Sequence, residues 1–190
     1  MFVFGHIGIT LGIFYCLSRI SSKKGFWVNA PWIALGALLP DFIDKPLGRI
    51  ILADTIGSGR IYAHTLLFGL LLGLAGYYLY SQGKPELLII AGASFCHILE
   101  DQIWNSPTVF FWPLLGWEFP KDTISGNFIE YLMIIFNRSY DPGFTEVFIS
   151  EIVGLLIIIV LLIVKYINEN HSEKKKENSL VQQKRKNSNF

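Results

Sequence analysis

The chain has 190 residues, of which 52% are hydrophobic, 15% aromatic and only 16% charged. A typical soluble domain carries about 25% charged residues, so this composition argues against a disordered protein, a coiled coil or a basic nucleic-acid module. The net charge of +1 offers no electrostatic steering, and we expect no nucleic acid partner. The two cysteines, Cys16 and Cys96, both lie in apolar runs, which excludes a disulfide scaffold and a cysteine-rich zinc module.

Five apolar stretches reach or approach the roughly 20 residues that a membrane span requires. They are residues 2–17, 26–40, 61–80, 87–104 and 147–164. The second and fourth are short, but a helix lined on one side by a polar site looks shorter on a hydropathy scale than it is. The sequence therefore predicts an all-α, polytopic membrane protein, with about five transmembrane helices in a membrane domain over residues 1–166 and the lipid bilayer as its surroundings.

The distribution of basic residues predicts the orientation in the membrane. If the C-terminus is cytoplasmic, five crossings place the N-terminus outside, and eleven of the sixteen Lys and Arg residues then lie on the inner side, as the positive-inside rule expects. The basic segment SRISSKK follows the first apolar run instead of preceding it, which argues against a cleaved signal peptide. We therefore expect a multi-pass protein of the cytoplasmic membrane. Residues 167–190 are polar and rich in Lys and Asn, typical of a disordered basic cytoplasmic tail.

A long outer connection separates the fourth and fifth predicted spans. Residues 105–143 include the segment NSPTVFFWPLLGWEFP, with three prolines and two tryptophans, and tryptophans of this kind prefer the headgroup level of a bilayer. Further along, residues 127–136 (NFIEYLMIIF) are too few to span and predict a short helix at the membrane surface.

Nine ionisable residues lie at or near membrane depth, where each charge is costly and needs a partner. They are His6, Asp41, Asp44, Arg60, His64, His97, Glu100, Asp101 and Glu151. In the predicted topology, all except Glu151 lie toward the outer ends of the spans. His97 and Asp101 are four residues apart and share a helix face, with Glu100 adjacent to it. We expect the histidines and aspartates to meet at one depth, and Glu151 to be either neutral or paired with a neighbouring helix.

Three imidazoles and three carboxylates together suit a divalent cation that accepts both nitrogen and oxygen ligands. Zinc, manganese and iron(II) do so, whereas calcium and magnesium prefer oxygen alone. The candidate metal ligands are His6, Asp41, Asp44, His64, His97 and Asp101. They exceed the needs of one four-coordinate ion, so two ions, or one ion with supporting Asp–His contacts, both stay open. A single buried histidine is more often bonded to a neighbour than to a metal; the convergence of all six residues favours the metal.

Several short motifs recur in one order along the chain: GH at 5–6, LPDFID at 39–44, RIYAHT at 60–65, HILED at 97–101 and WP at 112–113. Their order and membrane placement resemble the family of LexA-binding, inner-membrane-associated, metal-dependent hydrolases, over about residues 4–113. The resemblance implies a helical multi-spanning protein with a divalent metal ion and a hydrolase activity. Many members of that family have a histidine at the position of Gly59, so this chain departs from the family pattern there.

The hypothesis that follows is a membrane-bound, divalent-metal-dependent hydrolase whose His/Asp site at the outer membrane face acts on a phosphoester or a lipid headgroup. In this hypothesis Glu100 or a spare aspartate is the general base, and Arg60 stabilises negative charge that develops on a phosphoryl group. The alternative is a non-enzymatic membrane protein in which the His/Asp cluster is a structural ion-pair network or a metal-transport site. The inner halves of the first four predicted helices are nearly free of charge, which argues against transport.

Overall fold

A computed structural model describes residues 2–21, 26–121, 127–143 and 145–187. These residues form helices and loops and contain no strand, which confirms the predicted all-α fold class. The α-helices are α1 (Val3–Ile20), α2 (Phe26–Pro46), α3 (Leu66–Ser81), α4 (Glu86–Glu100), α5 (Pro107–Phe110), α6 (Phe128–Tyr140) and α7 (Thr145–Asn187). A π-helical turn at Leu47–Ile51 extends α2, and 3₁₀ turns occur at Tyr62–His64 and Ile103–Asn105.

The helix of the third apolar stretch begins later than the sequence predicts. The hydropathy pattern predicts a helix from residue 61, but Tyr62–His64 form a 3₁₀ turn and Thr65 has an extended backbone. The Thr65 side chain accepts a hydrogen bond from the Phe68 N–H and so caps α3, satisfying one of the amides that a helix start leaves without a partner. A hydropathy pattern does not show that α3 begins after Thr65, because apolar residues lie on both sides of this cap.

The last two helices are longer than the predicted elements. The short helix expected over residues 127–136 is α6, which begins with a capping box between Asn127 and Glu130. α7 continues to Asn187, across residues for which the composition predicts a disordered tail. Lys, Glu and Gln are good helix formers, so a polar segment that follows directly on a helix readily prolongs it.

Two helices among the described residues are long and apolar enough to cross a bilayer, namely Val3–Ile20 and Glu146–Lys175. The helices α3 and α4 have 16 and 15 residues, fewer than the roughly 17–25 of a typical span. α2 has 21 residues, but its last part contains charged side chains. The predicted five-span arrangement is therefore not confirmed by helix length and composition.

Close backbone contact holds α4 against α2, which also packs on α1. A Cβ atom on Gly36 would lie 2.5 Å from the carbonyl oxygen of Ile90, so only glycine allows this approach. The Ser94 hydroxyl donates a hydrogen bond of 3.0 Å to the carbonyl of Gly36. This contact fixes the register of α2 against α4 at Gly36, the residue that precedes Ala37.

Large apolar side chains, such as Leu70 and Leu74, stay exposed on α3, which is typical of a surface that faces a membrane or a partner.

A second close contact joins α1 to α7. A Cβ atom on Gly8 would lie 2.0 Å from the carbonyl oxygen of Gly154, and one on Gly154 would lie 2.0 Å from the carbonyl oxygen of Phe4. Small residues let helix backbones approach in this way in membrane proteins. The contact places the beginning of α1 against α7.

We expect the substitution Gly8→Ala to lower the free energy of unfolding by about 1–3 kcal/mol, because the added methyl group overpacks a backbone contact. The measurement is denaturation of the detergent-solubilised protein followed by circular dichroism. Gly73→Ala is the matched control: Gly73 is also helical, but a Cβ atom there meets nothing within 4 Å, so stability should stay the same or rise by up to about 1 kcal/mol. Equal effects of the two substitutions would contradict the proposed contact.

Candidate functional site

Three histidines from three different segments meet at one end of the helix bundle. His6 comes from the first turns of α1, His64 from the 3₁₀ turn before α3, and His97 from the end of α4. All three are fully buried. The rings of His6 and His97 are stacked with centroids 3.9 Å apart, and the rings of His64 and His97 are 5.2 Å apart. The structure thus brings together histidines that are 91 positions apart in the sequence.

The inward-facing atoms of this cluster are imidazole nitrogens and carboxylate oxygens. The Nε2 atoms of His64 and His97 are 3.3 Å apart, and the Oδ1 atom of Asp41 lies 3.7 Å from the first and 3.8 Å from the second. The Oδ2 atom of Asp101 lies 3.8 Å from His64 Nε2, and its Oδ1 atom lies 3.4 Å from His6 Nε2. Two groups, His6–Asp41–His97 and His64–His97–Asp101, each place three donor atoms within 4.8 Å of one another.

The outward-facing nitrogen of each histidine is held by an oxygen atom. His6 Nδ1 lies 2.8 Å from Glu100 Oε2, and His64 Nδ1 lies 2.7 Å from Asp44 Oδ2. His97 Nδ1 lies 2.7 Å from the carbonyl oxygen of Ala37. Because carbonyl and carboxylate oxygens accept hydrogen bonds, each Nδ1 carries the proton and donates it outward. In a neutral imidazole, the Nε2 lone pair then faces the cluster.

Asp44 anchors the turn that carries His64. Its fully buried carboxylate accepts hydrogen bonds from the backbone N–H groups of Ile61, Ala63 and His64, at 2.7, 2.9 and 3.2 Å. With His64 Nδ1, these donors surround both carboxylate oxygens. Asp44 therefore supports the cluster from behind, and its oxygens face the turn.

Glu100 takes a similar position behind His6. Its Oε1 atom accepts a hydrogen bond of 2.8 Å from the Thr10 hydroxyl, while Oε2 accepts from His6. Thr10 is one helical turn after His6 on α1 and is not among the residues that the sequence predicts for the site. Its spacing from His6 was the available signal, since residues four apart share a helix face.

Two cations border the carboxylates of Asp41 and Asp101. The Nη2 atom of Arg60 lies 2.8 Å from Asp101 Oδ2, and about half of the Arg60 side chain is exposed. Lys45 forms an ion pair with the Oδ2 atom of Asp41. Asp41 is the first residue after the second predicted span, residues 26–40. Burial raises the pKa of the Asp41 carboxyl, but the ammonium group of Lys45 acts in the opposite direction, and the pKa lies below the ordinary value. Asp41 therefore stays a carboxylate.

Glu151 stands apart from the cluster and caps α1. Its buried carboxylate accepts hydrogen bonds from the backbone N–H groups of Phe2, Phe4 and Gly5, at 2.9, 3.0 and 2.9 Å. The first amides of a helix lack partners within the helix, and a carboxylate also interacts favourably with the helix dipole there. Of the two alternatives for Glu151, the structure shows pairing with a neighbouring helix, one residue from His6.

A cavity of about 330 Å³ lies beside the cluster, with Asp41 and Asp101 in its wall. Arg60 and Lys45 also line it. Next to the cavity, the predicted tryptophan-rich segment forms an aromatic group in which the ring of Trp112 contacts the rings of Tyr62 and Phe119, at 5.2 and 5.5 Å.

A family model described as YdjM inner membrane protein matches residues 1–172. The chain therefore belongs to the YdjM inner membrane protein family, which supports the predicted membrane association and the inner membrane as its location. The family description bears out the inner-membrane part of the resemblance and includes neither LexA binding nor hydrolysis. No curated protein and no solved structure matches the chain.

We expect Asp44→Asn to lower the free energy of unfolding by about 1.5–3 kcal/mol, the range for losing hydrogen bonds to a buried charged group. The side-chain NH₂ group of asparagine is a hydrogen-bond donor, and it would face backbone N–H groups of the 3₁₀ turn that need an acceptor. Chemical denaturation in detergent measures the effect. Asp54→Asn, at an exposed position of the following loop, is the control and should change stability by less than about 0.5 kcal/mol. An Asp44→Asn protein as stable as this control would disprove the anchoring role.

Proposed function

We propose that the chain is a membrane-bound, divalent-metal-dependent hydrolase that acts on a phosphoester. The observation that carries the proposal is the 3.3 Å separation of the Nε2 atoms of His64 and His97, both of whose Nδ1 atoms donate outward. In the neutral form of both imidazoles, the two Nε2 atoms present lone pairs to the same space, and two carboxylates lie close by. A divalent cation between these atoms would bind both nitrogens and a carboxylate oxygen.

Five side chains would hold the metal: His6, His64, His97, Asp41 and Asp101. Imidazole nitrogens combined with carboxylate oxygens suit zinc, manganese or iron(II). The sequence predicts Asp44 as a metal ligand and Glu100 as the general base. Their oxygens are bonded to the turn, to Thr10 and to the histidines, so we assign both to the supporting layer, where carboxylates orient metal-binding histidines.

A divalent ion in such a site supplies Lewis-acid polarisation of a phosphoryl oxygen and activates water at neutral pH. The side chains of the protein would bind and orient the phosphoryl group. Arg60 is half exposed beside Asp101, where its guanidinium can bind phosphoryl oxygens in a fixed planar geometry and stabilise their developing charge. The three histidines are fully buried behind the carboxylates of Asp41 and Asp101, and these two carboxylates line the cavity together with Arg60.

The non-enzymatic alternative rests on the same hydrogen bonds. Asp44 and Glu100 connect α1, α2, α4 and the 3₁₀ turn, so the cluster could serve as a structural network alone. In that case, substitutions in the cluster would unfold the protein. In an enzyme, substitution of an inward-facing ligand would remove the activity and leave the fold intact.

We also propose the five-span arrangement with the N-terminus outside and the C-terminus in the cytoplasm. His6 lies near the start of α1, whereas Asp41 and His97 lie near the ends of α2 and α4. Their contact brings these three helix ends to one depth, as alternating helix directions require. Together with the bias of Lys and Arg residues, this supports a site at the outer face of the membrane, where a lipid headgroup is within reach.

We expect the protein, purified in detergent without chelators, to contain zinc, manganese or iron and to hydrolyse phosphomonoesters or phosphodiesters. His97→Ala and Asp101→Ala should lose the metal and reduce hydrolysis more than about 100-fold, beyond the 10–100-fold typical for outer partners of metal ligands. Metal content is measured by elemental analysis and hydrolysis by phosphate release. Well-folded wild-type protein without metal would disprove the proposal.

His171→Ala serves as the control, since His171 is exposed on α7 and should retain metal, activity and stability. Thermal unfolding of the same variants separates the two candidate functions. The enzyme predicts variants that stay folded but inactive, whereas the structural network predicts a common loss of stability.

The proposed topology predicts that a green fluorescent protein fused to the C-terminus fluoresces, whereas alkaline phosphatase fused there is inactive, because alkaline phosphatase is active only after export. Fusions to a position in residues 105–121 should behave in the opposite way. An active C-terminal alkaline phosphatase fusion would overturn the topology without affecting the site.

A further inference from the structure

The cavity beside the cluster has polar walls that the proposed metal site does not use. Besides Asp41 and Asp101, it is lined by Lys45, Arg60 and Lys121 and by the hydroxyl-bearing side chain of Tyr131. The two carboxylates are each paired with one of these cations, Asp41 with Lys45 and Asp101 with Arg60. Lys121 adds a further positive charge, so the cavity wall favours an anion.

Tyr131 reaches this wall because Gly59 leaves room for it. A Cβ atom on Gly59 would lie 2.5 Å from the Tyr131 hydroxyl oxygen and 3.3 Å from the ring carbon that bears it. The Tyr131 side chain is buried, and the Arg49 guanidinium lies 4.2 Å from its ring centroid. The ring is thus held between α2 and the loop, with its hydroxyl beside the residue that precedes Arg60.

We propose that this cavity is a binding subsite for a phosphate group, in which Tyr131, Arg60 and Lys45 hold the phosphate oxygens. The inference rests on the proposed function and specifies the substrate class as a phosphate ester whose phosphate enters from the side of α6. Arginine, lysine and a hydroxyl group are the donors that phosphate oxygens accept best. A volume of about 330 Å³ lies at the small end of ligand pockets, about 300–1,000 Å³, and suits a headgroup-sized ligand.

The phosphate can belong to a lipid headgroup or to a soluble ester, since both present the same oxygens to the subsite. Competition with bound inorganic phosphate distinguishes the two sources. Displacement by bilayer nanodiscs that contain phosphatidic acid indicates the lipid, and displacement by glycerol phosphate alone indicates the soluble ester. If neither displaces inorganic phosphate, the assignment of the subsite to a phosphate ester is overturned.

The test of the subsite is the affinity for inorganic phosphate, measured by calorimetry on the full chain in detergent with its metal content determined in parallel. Tyr131→Phe keeps the ring and its contact with Arg49 but removes the hydroxyl. We expect about tenfold weaker phosphate binding with unchanged metal content, the effect of losing one hydrogen bond to a charged group. Tyr140→Phe, on the same helix but paired with Glu151 outside the cavity, should bind phosphate like wild type.

Gly59→Ala provides a second variant that acts through the same contact. The added methyl group meets the Tyr131 hydroxyl, so we expect weaker phosphate binding and a lower unfolding temperature. In the double variant Gly59→Ala/Tyr131→Phe the clash with the hydroxyl is gone. Its unfolding temperature should recover, whereas its phosphate affinity should stay low. Recovery of both would show that the hydroxyl is a packing element only, which overturns the proposal.

Failure of this inference and failure of the proposed function give different results. If the protein binds metal and hydrolyses phosphoesters, but Tyr131→Phe leaves phosphate affinity within twofold of wild type, the subsite is wrong and the enzyme stands. If metal and hydrolysis are absent, but phosphate binds and Tyr131→Phe weakens it, the subsite stands and the enzyme is wrong. If wild-type protein does not bind phosphate at all, the subsite is overturned.

Discussion

The arrangement of the whole site depends on one constraint, which is that a buried imidazole needs a partner for each of its nitrogens. In all three histidines the Nδ1 atom is satisfied by an oxygen on another segment of the chain: Glu100 of α4 for His6, Asp44 of α2 for His64, and the Ala37 carbonyl of α2 for His97. These contacts turn the three Nε2 atoms toward the same space. The geometry of the cluster is therefore a consequence of how α1, α2 and α4 pack.

Helix packing in turn depends on small residues and on one buried carboxylate. The glycine contact at Gly36 and the Ser94 hydrogen bond set the register of α2 against α4, and this register brings the Ala37 carbonyl to His97. On α7, the Glu151 carboxylate accepts hydrogen bonds from the first amides of α1, and Gly154 lets the backbone of α1 pack directly against the helix. Because the cluster needs oxygen partners at about 2.7–2.8 Å, a small shift of either contact would separate a histidine from its partner.

Sequence patterns predict the helices and the members of the cluster better than they predict the role of each member. Ionisable side chains within apolar stretches are rare and costly, so His6, His64 and His97 could be identified from composition and position alone. The roles of Asp44 and Glu100 depend on which way each carboxylate faces, and spacing along one helix does not determine that.

Residues that act across helices also escape a sequence pattern. Glu151 caps a helix that lies 146 positions earlier in the chain, and Tyr131 fills the space that Gly59 leaves on a different segment. Neither pair has a local signal, because its partners meet only after the helices have packed. The start of α3 was misplaced for a related reason: the turn at Tyr62–His64 is stabilised by Asp44, seventeen or more residues away.

The polar groups of the site are arranged in three layers. Imidazoles form the base, the carboxylates of Asp41 and Asp101 form the middle, and Lys45 and Arg60 border the cavity. Buried ion pairs seldom add stability by themselves, since desolvation offsets their attraction. A cation at the base would weaken the hold of the carboxylates on Lys45 and Arg60, which would leave these two side chains more attractive to an anion in the cavity. By linkage, the anion would then strengthen binding of the cation to the same extent, so a metal ion and a phosphate group would each favour the other at adjacent positions.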